Sequence, residues 1–259
     1  MKKVILPLLL LAAPALAADL ESSRPLGPEK ALKVRLSLGD GAFRLRGTGA
    51  DLYRLQGKGE AIPRLVYRPG LLELSVPPSH RPSAPSYLLQ LTQKMPLTLQ
   101  GTLGKQGDLE LGGLRLSDVD LDTRVSKTKV SFSTPNPIPL KRFSLKAGAS
   151  SLQLLGLGNA NFERFSFEGG AGRYLLDFRG NYRRKGTVKI ELGIGQATVL
   201  IPKSIGIRLV TDNSLLSNLS LPEFYLGGEE KSPNYETAEG TLDLQIHCGV
   251  GSSLQLLWK

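Results

Sequence analysis

Apolar and polar residues alternate along most of this 259-residue chain. Such alternation puts every second side chain on one face, the pattern of a half-buried β-strand. Val34, Leu36 and Leu38 alternate up to a Gly39-Asp40-Gly41 turn, and Phe43 and Leu45 resume beyond it, which reads as strand, turn, strand. A second pair is expected around residues 65–67 and 72–76, joined by Pro69-Gly70. After Pro96 the rhythm is regular. Strands are expected near 97–103, 108–111, 114–121, 128–133, 142–147, 151–155, 162–167, 173–179, 186–194, 197–201 and 206–211, set apart by Gly, Asn, Asp or Lys turns. No segment past residue 17 carries a 3.6-residue apolar stripe, so almost no helix is expected.

The alternation also repeats. Leu109 to Phe132 returns 46 residues later as Leu155 to Phe178, with eight apolar pairs that include Leu109/Leu155, Val119/Phe165, Leu121/Phe167, Val125/Ala171 and Val130/Leu176. With one extra residue it runs on through Phe143/Ile190, Ala147/Ile194 and Leu154/Ile201. A literal echo follows: Ser150-Ser151-Leu152-Gln153-Leu154-Leu155 recurs as Ser252-Ser253-Leu254-Gln255-Leu256-Leu257. A fixed period in alternating apolar residues marks units that stack on one another, because one unit cannot bury both ends of its core. The expected fold is all-β, a single-stranded parallel β-helix or solenoid built from coils of roughly 20–25 residues.

Composition changes the picture at the ends and at the breaks. Lys2 and Lys3, a short apolar run and Ala15-Leu16-Ala17 read as a secretory signal peptide over residues 1–17, cut between Ala17 and Ala18. That places the mature chain outside the cytoplasm: periplasmic, envelope-associated or extracellular. No later run is long and apolar enough to predict a transmembrane helix. Residues 18–33, with Pro25, Gly27 and Pro28, are expected as a linker before an N-terminal β region over 34–76. A Pro-rich connection over 77–95 would then lead into the solenoid over 96–259. Residues 212–236 break the rhythm, and such an irregular insert is where a repeat protein tends to carry an interaction loop.

The order of several short motifs resembles a known family. They are Leu36-Ser37-Leu38-Gly39-Asp40-Gly41, Leu157-Gly158-Asn159-Ala160-Asn161-Phe162, Glu168-Gly169-Gly170-Ala171-Gly172, Leu192-Gly193-Ile194-Gly195 and Val199-Leu200-Ile201-Pro202, closed by Tyr235-Glu236-Thr237-Ala238 and Gly249-Val250-Gly251. The chain resembles the toast-rack family of bacterial envelope proteins over about residues 34–258. Its relatives include globular domains of membrane proteins that answer cell-wall-active antibiotics. The resemblance implies a parallel β-solenoid without catalytic residues, in a family partly tied to envelope-stress sensing. The transmembrane helices of the antibiotic-response members have no counterpart here.

The formal charge is +10, and without Lys2 and Lys3 it is +8, from 31 basic against 23 acidic residues. Outside the cytoplasm such a surplus points to an anionic envelope polymer or an envelope protein as partner, not to nucleic acid. Arg179, Arg183, Arg184 and Lys185 cluster in one expected loop and are the candidate anionic-ligand patch. Asp118, Asp120 and Asp122 would share one strand face, but the calcium-binding nonapeptide is absent and a solvated acidic face is the simpler reading. His80 and His247 are the two histidines, neither with a ligand or triad motif around it, and no cofactor or metal site is expected. Cys248 stands alone in an alternating run, so no internal disulfide can form and a buried apolar role is expected. The Gly-x-Gly groups precede no expected helix, and no Gly-x-Ser-x-Gly elbow exists. The chain reads as a non-catalytic binding or structural module of the envelope. Two alternatives are a carbohydrate-active enzyme on a parallel β-helix, and a sensor subunit that meets a membrane partner through 212–236.

Overall fold

The computed structural model describes residues 19–59, 62–78, 85–124, 126–213 and 217–259. The expected signal peptide, Ala17, Ala18, His80 and Val125 lie outside the described residues. Strand is the dominant element, at 62%, against 4% helix. The N-terminal strands are β1 (Asp19–Pro25), β2 (Leu32–Leu38), β3 (Ala42–Thr48), β4 (Asp51–Lys58), β5 (Arg64–Arg68), β6 (Leu71–Val76) and β7 (Ser86–Thr92). The middle holds β8 (Leu97–Leu103), β9 (Gln106–Glu110), β10 (Leu116–Thr123), β11 (Lys127–Ser131), β12 (Leu140–Ala147), β13 (Ser150–Leu155), β14 (Phe162–Gly169), β15 (Gly172–Asp177), β16 (Lys185–Leu192) and β17 (Gln196–Ile201). The C-terminal strands are β18 (Ile205–Asn213), β19 (Asn218–Ser220), β20 (Gly240–Cys248) and β21 (Ser253–Trp258), with one short helix, α1 (Glu223–Leu226), between β19 and β20.

The strands form two large, mostly parallel sheets. Sheet I runs β1-β4-β7-β3-β9-β11-β13-β15-β17-β21-β19, and sheet II runs β18-β20-β16-β14-β12-β10-β8-β2-β6-β5. From β8 to β17 successive strands alternate between the sheets, and the chain returns to a given sheet after 20 to 24 residues: Thr98↔Asp118, Asp118↔Arg142, Arg142↔Arg164 and Arg164↔Thr187 are paired neighbours.

Parallel register turns the period-two pattern into ladders. On the inner face of sheet I, Leu45, Leu109, Val130, Leu154, Leu176, Val199 and Leu256 stand side by side across seven strands, all buried. On sheet II the matching ladder runs Val34, Leu99, Val119, Phe143, Phe165, Val188, Leu244. Phe167 of sheet II meets Tyr174 of sheet I with ring centroids 5.0 Å apart, so one apolar core fills the space between the sheets. Phe143, Phe165, Phe178 and Phe162 thicken it, with neighbouring rings 5.2 to 6.1 Å apart in edge or tilted contact.

The register fixes what each echo means. Val119/Phe165, Leu121/Phe167 and Val130/Leu176 are two rungs apart in the same ladders. Leu109 stacks through Val130 onto Leu154, not Leu155. The continuation with one extra residue is two positions out of register: Phe143 leads through Phe165 to Val188, not Ile190, and Leu154 leads to Val199, not Ile201. The literal echo is in register, since Leu152 and Leu154 reach Leu254 and Leu256 three rungs on.

Several expected boundaries differ. The stretch expected as a linker supplies β1, which pairs antiparallel with β4, and then the start of β2. The expected Pro-rich connection contains β7, which lies between β3 and β4 in sheet I. Pro77, Pro78, Pro82 and Pro85 gather before β7, so its ladder bonds survive. The N-terminal β region and the later strands share both sheets, through β2–β8 and β3–β9. The order is also not purely parallel: β1–β4, β4–β7 and β5–β6 run antiparallel and close the N-terminal end. The insert at 212–236 closes the other end. Leu209 N–H donates to Glu230 O (2.8 Å) and Ser232 N–H to Ile207 O (2.8 Å), which pairs part of the edge of β18.

Candidate ligand-binding surface

The loop after β15 carries the expected basic cluster, and each of its cations stands beside an acid. Arg179 clamps Asp177 with Nε 2.9 Å from both carboxylate oxygens and Nη2 2.6 Å from Oδ2; Asp177 is only 3% exposed. That hydrogen-bonded fork holds the Arg179 guanidinium above its ordinary pKa. Arg183 lies 3.3 Å from Glu239, Arg184 3.5 Å from Glu163 and Lys185 3.7 Å from Asp243. Asp243 on β20 is a hub, since Arg208 Nε (3.0 Å) and the Tyr235 hydroxyl (2.6 Å) also donate to it. Burial would raise the Asp243 pKa, but the Tyr235 hydroxyl, Arg208 and Lys185 outweigh it and hold the carboxyl below the usual range. Burial and the Asp243 bond push Tyr235 up to about 12. The cluster therefore ties the returning segment 235–239 to β16, β18 and β20.

Sheet II shows the same self-neutralisation on its outward face. Asp118, Asp120 and Asp122 do share one face of β10, and Asp118 pairs with Arg142 on β12 at 3.1 Å. Lys146 pairs with Glu168 (2.9 Å) and Lys189 with Glu191 (2.5 Å). Among the described residues no group of three His, Cys, Asp or Glu side chains could hold a metal ion. His247 Nδ1 lies 3.4 Å from Asp212 on an exposed edge, and Cys248 is buried, its thiol pKa pushed up by burial.

Sheet I is different. In one outward ladder Gln106, Lys127, Ser151, Arg173, Gln196 and Ser253 are neighbours on six successive strands. The adjacent ladder runs Arg44, Asp108, Lys129, Gln153, Leu175, Thr198. Its one carboxylate, Asp108, is held by Arg46 Nη2 at 2.6 Å. Arg44, Lys127, Lys129 and Arg173 are exposed and have no ion-pair partner among the described residues. A groove of about 400 Å³ runs between the first members of both ladders, lined by Arg44, Gln106, Lys127, Lys129, Ser151 and Gln153. Arg44 lies 83 residues before Lys127, and Arg173 lies 44 residues after Lys129 on the strand just before the expected loop, so only the register brings these cations together. The alternation Lys127-Thr128-Lys129 was the available signal, since it sends both lysines outward from one strand.

No protein-family model matches the chain, and no curated protein does. Solved structures similar to the chain include two from bacteria. One is a candidate cell adhesion protein from Clostridium sporogenes, 17% identical, covering 94% of this chain and 100% of its own, with a TM-score of 0.48. The other is a candidate adhesin from Bacteroides fragilis, 10% identical, covering 93% of this chain and 97% of its own, with a TM-score of 0.46. No helix among the described residues is long and apolar enough to cross a membrane.

Proposed function

We propose that the chain is an exported β-solenoid of the toast-rack kind, a non-catalytic binding module of the bacterial cell envelope with an anionic partner. One observation carries this reading: surplus positive charge stands on rigid parallel strands, while most of the described acids are matched by the protein's own cations. Net charge of this kind raises the rate and strength of encounter with a polyanion. Arg179, Arg183, Arg184 and Lys185 would have to leave Asp177, Glu239, Glu163 and Asp243 before holding a ligand anion, so their share in binding is small. The carbohydrate-active alternative needs paired acids, or an acid with an Arg or Lys, at a fixed separation in a groove. Glu168 and Glu191 are neighbours in register, but each lies against a lysine on an exposed face.

The test is binding of the mature protein to immobilised anionic and neutral envelope polymers. Anionic polymers should retain it at low salt and release it progressively as ionic strength rises, because exposed charges are screened over about 8 Å at physiological salt. Equal retention by neutral polymers, or no retention at low salt, overturns the reading. N-terminal sequencing of the exported protein should begin at Ala18.

A further inference from the structure

We propose that the outward face of sheet I, from β3 to β17, is a docking surface for a linear acidic polysaccharide that lies across the strands, along the stack. This deepens the reading of an anionic partner and rests on it. The surface is chosen by charge complementarity. Sheet II crosses its strands with matched pairs, Arg35–Glu73, Asp118–Arg142, Lys146–Glu168 and Arg208–Asp243, and its Arg164, unpaired among the described residues, stands in the ladder of Asp118 and Arg142, not in one free of carboxylates. Sheet I keeps Arg44, Lys127, Lys129 and Arg173 unmatched among the described residues, beside a ladder with no carboxylate from Gln106 to Ser253.

The spacing says what kind of polyanion fits. Neighbouring strands are about 4.8 Å apart, so cations two strands apart are separated by about 10 Å. Lys127 and Arg173 are two strands apart in one ladder, with Ser151 between them. Arg44 and Lys129 are two strands apart in the next, with the neutralised Asp108 between them. Beyond the cations the ladders continue mostly in amides and hydroxyls, Gln153, Gln196, Thr198, Ser253 and Gln255, with Leu175 between Gln153 and Thr198. Amides and hydroxyls exchange hydrogen bonds with sugar hydroxyls, donating and accepting in turn. Alternating cation and neutral hydrogen-bonding group matches a glycan in which charged and uncharged sugars alternate. A polyphosphate has an anion at every unit and no hydroxyl, so it leaves the intervening groups unused. The strands supply a rigid platform, so little conformational entropy is lost on the protein side.

The experiment measures affinity of the mature protein for hyaluronate, whose charged and neutral sugars alternate, with long-chain polyphosphate and neutral dextran as comparison probes. The variant R44S/K127S/K129S/R173S should lose about tenfold or more in hyaluronate affinity and show a shallower salt dependence. Its melting temperature should stay close to the parent's, since exposed charges contribute little to stability. A control of equal charge, K141S/R164S/R183S/R184S, should bind within about twofold of the parent. If both variants lose affinity equally, net charge and no surface explains the attraction, and the proposal falls. If the sheet I variant binds like the parent, the docking surface is wrong while the anionic partner stands. Tighter binding to polyphosphate than to hyaluronate overturns the glycan. No binding to either polyanion removes both this proposal and the reading beneath it.

Discussion

The middle of the stack and its two ends obey different rules. From β8 to β17 the order along the chain is the order in space, each strand lying beside the next one of its sheet. At each end the chain overshoots and returns. After β17 it places β18 and β19 outermost, and only then inserts β20 and β21 against β16 and β17. At the other end β6 and β7 lie outside β2 and β3, and the antiparallel β4 and β5 lie outside those. The difference shows what repetition can and cannot do. A repeated rung needs only a matching neighbour, and every interior rung has two. An end rung has one open edge and one bare core face, so it must be closed by something outside the pattern. Here the N-terminal end is closed by antiparallel strands and by Arg24 over the Tyr67 ring at 4.0 Å. The C-terminal end is closed by the segment 229–232 on β18 and by Phe224 against Trp258, with ring centroids 5.4 Å apart.

The sharpest way to break this contrast is to empty the middle of its largest ring cluster. Phe165 is 1% exposed, 5.2 Å from Phe143 and 5.7 Å from Phe178. Phe165→Ala should destabilise the protein by about 3–5 kcal/mol in urea denaturation, as large-to-small changes in a packed core do. A loss below about 1 kcal/mol would mean that the rungs do not share one close-packed core.

How much of this was legible follows the same division. The expected 151–155 and 197–201 match Ser150–Leu155 and Gln196–Ile201 because alternation is a local property. The recurrence of Ser150-Ser151-Leu152-Gln153 predicted stacking correctly because parallel register preserves the face. The exchange of rungs at the ends left no trace in the pattern: β20 would alternate identically beside β18 or anywhere else. Nor could charge pairing be read. Asp118 and Arg142 are 24 residues apart, and Lys185 and Asp243 further still, so whether a cation is free depends on register that sequence spacing does not contain. The candidate cluster 179–185 was visible because it is contiguous, whereas Arg44, Lys127, Lys129 and Arg173 are scattered.

Corners offer a second, smaller effect. Asn136 is 2% exposed among Pro135, Pro137 and Pro139, between β11 and β12. Its side-chain oxygen accepts from Leu116 N–H at 2.9 Å, and its amide donates to Leu116 O and Ile138 O, both at 2.8 Å. It thus completes the backbone bonding of the neighbouring rung where three prolines supply no donor. Asn136→Ala should cost about 1–3 kcal/mol, the penalty for buried backbone groups left without partners. A neutral result in the same denaturation assay would mean that water or a backbone shift replaces the side chain.

The C-terminal end should reveal itself by pH. Tyr235, pushed up to about 12 from an ordinary value of 10.0, binds its proton more tightly when folded. Its contribution is therefore fully present below pH 10 and is lost as pH rises toward 12. Tyr87, Tyr174 and Tyr182, raised by burial, add to the same alkaline slope. Tyr235→Phe should flatten part of the fall in melting temperature between about pH 10 and 12. An unchanged slope would detach Tyr235 from Asp243 and leave the returning segment held by backbone bonds alone.

The smallest effect tests where the rung ends and the corner begins. Simple extension of the echo pairs Ala147 with Ile194, which would make Ile194 a core residue. The register denies this: β16 ends at Leu192, and Ile194 stands 72% exposed between Gly193 and Gly195. Val250 holds the same place one rung on, between Gly249 and Gly251, and is 59% exposed. A side chain already in water forfeits little transfer energy when it is replaced, so Ile194→Ser should change stability by no more than about 0.5 kcal/mol. Leu192→Ser, two residues earlier at 1% exposure, serves as the contrast and should be costly, because it buries a hydroxyl where a full apolar side chain stood. If the two substitutions cost the same, the corner is folded into the core, and the register that leads Ala147 through Gly169 to Leu192 is wrong.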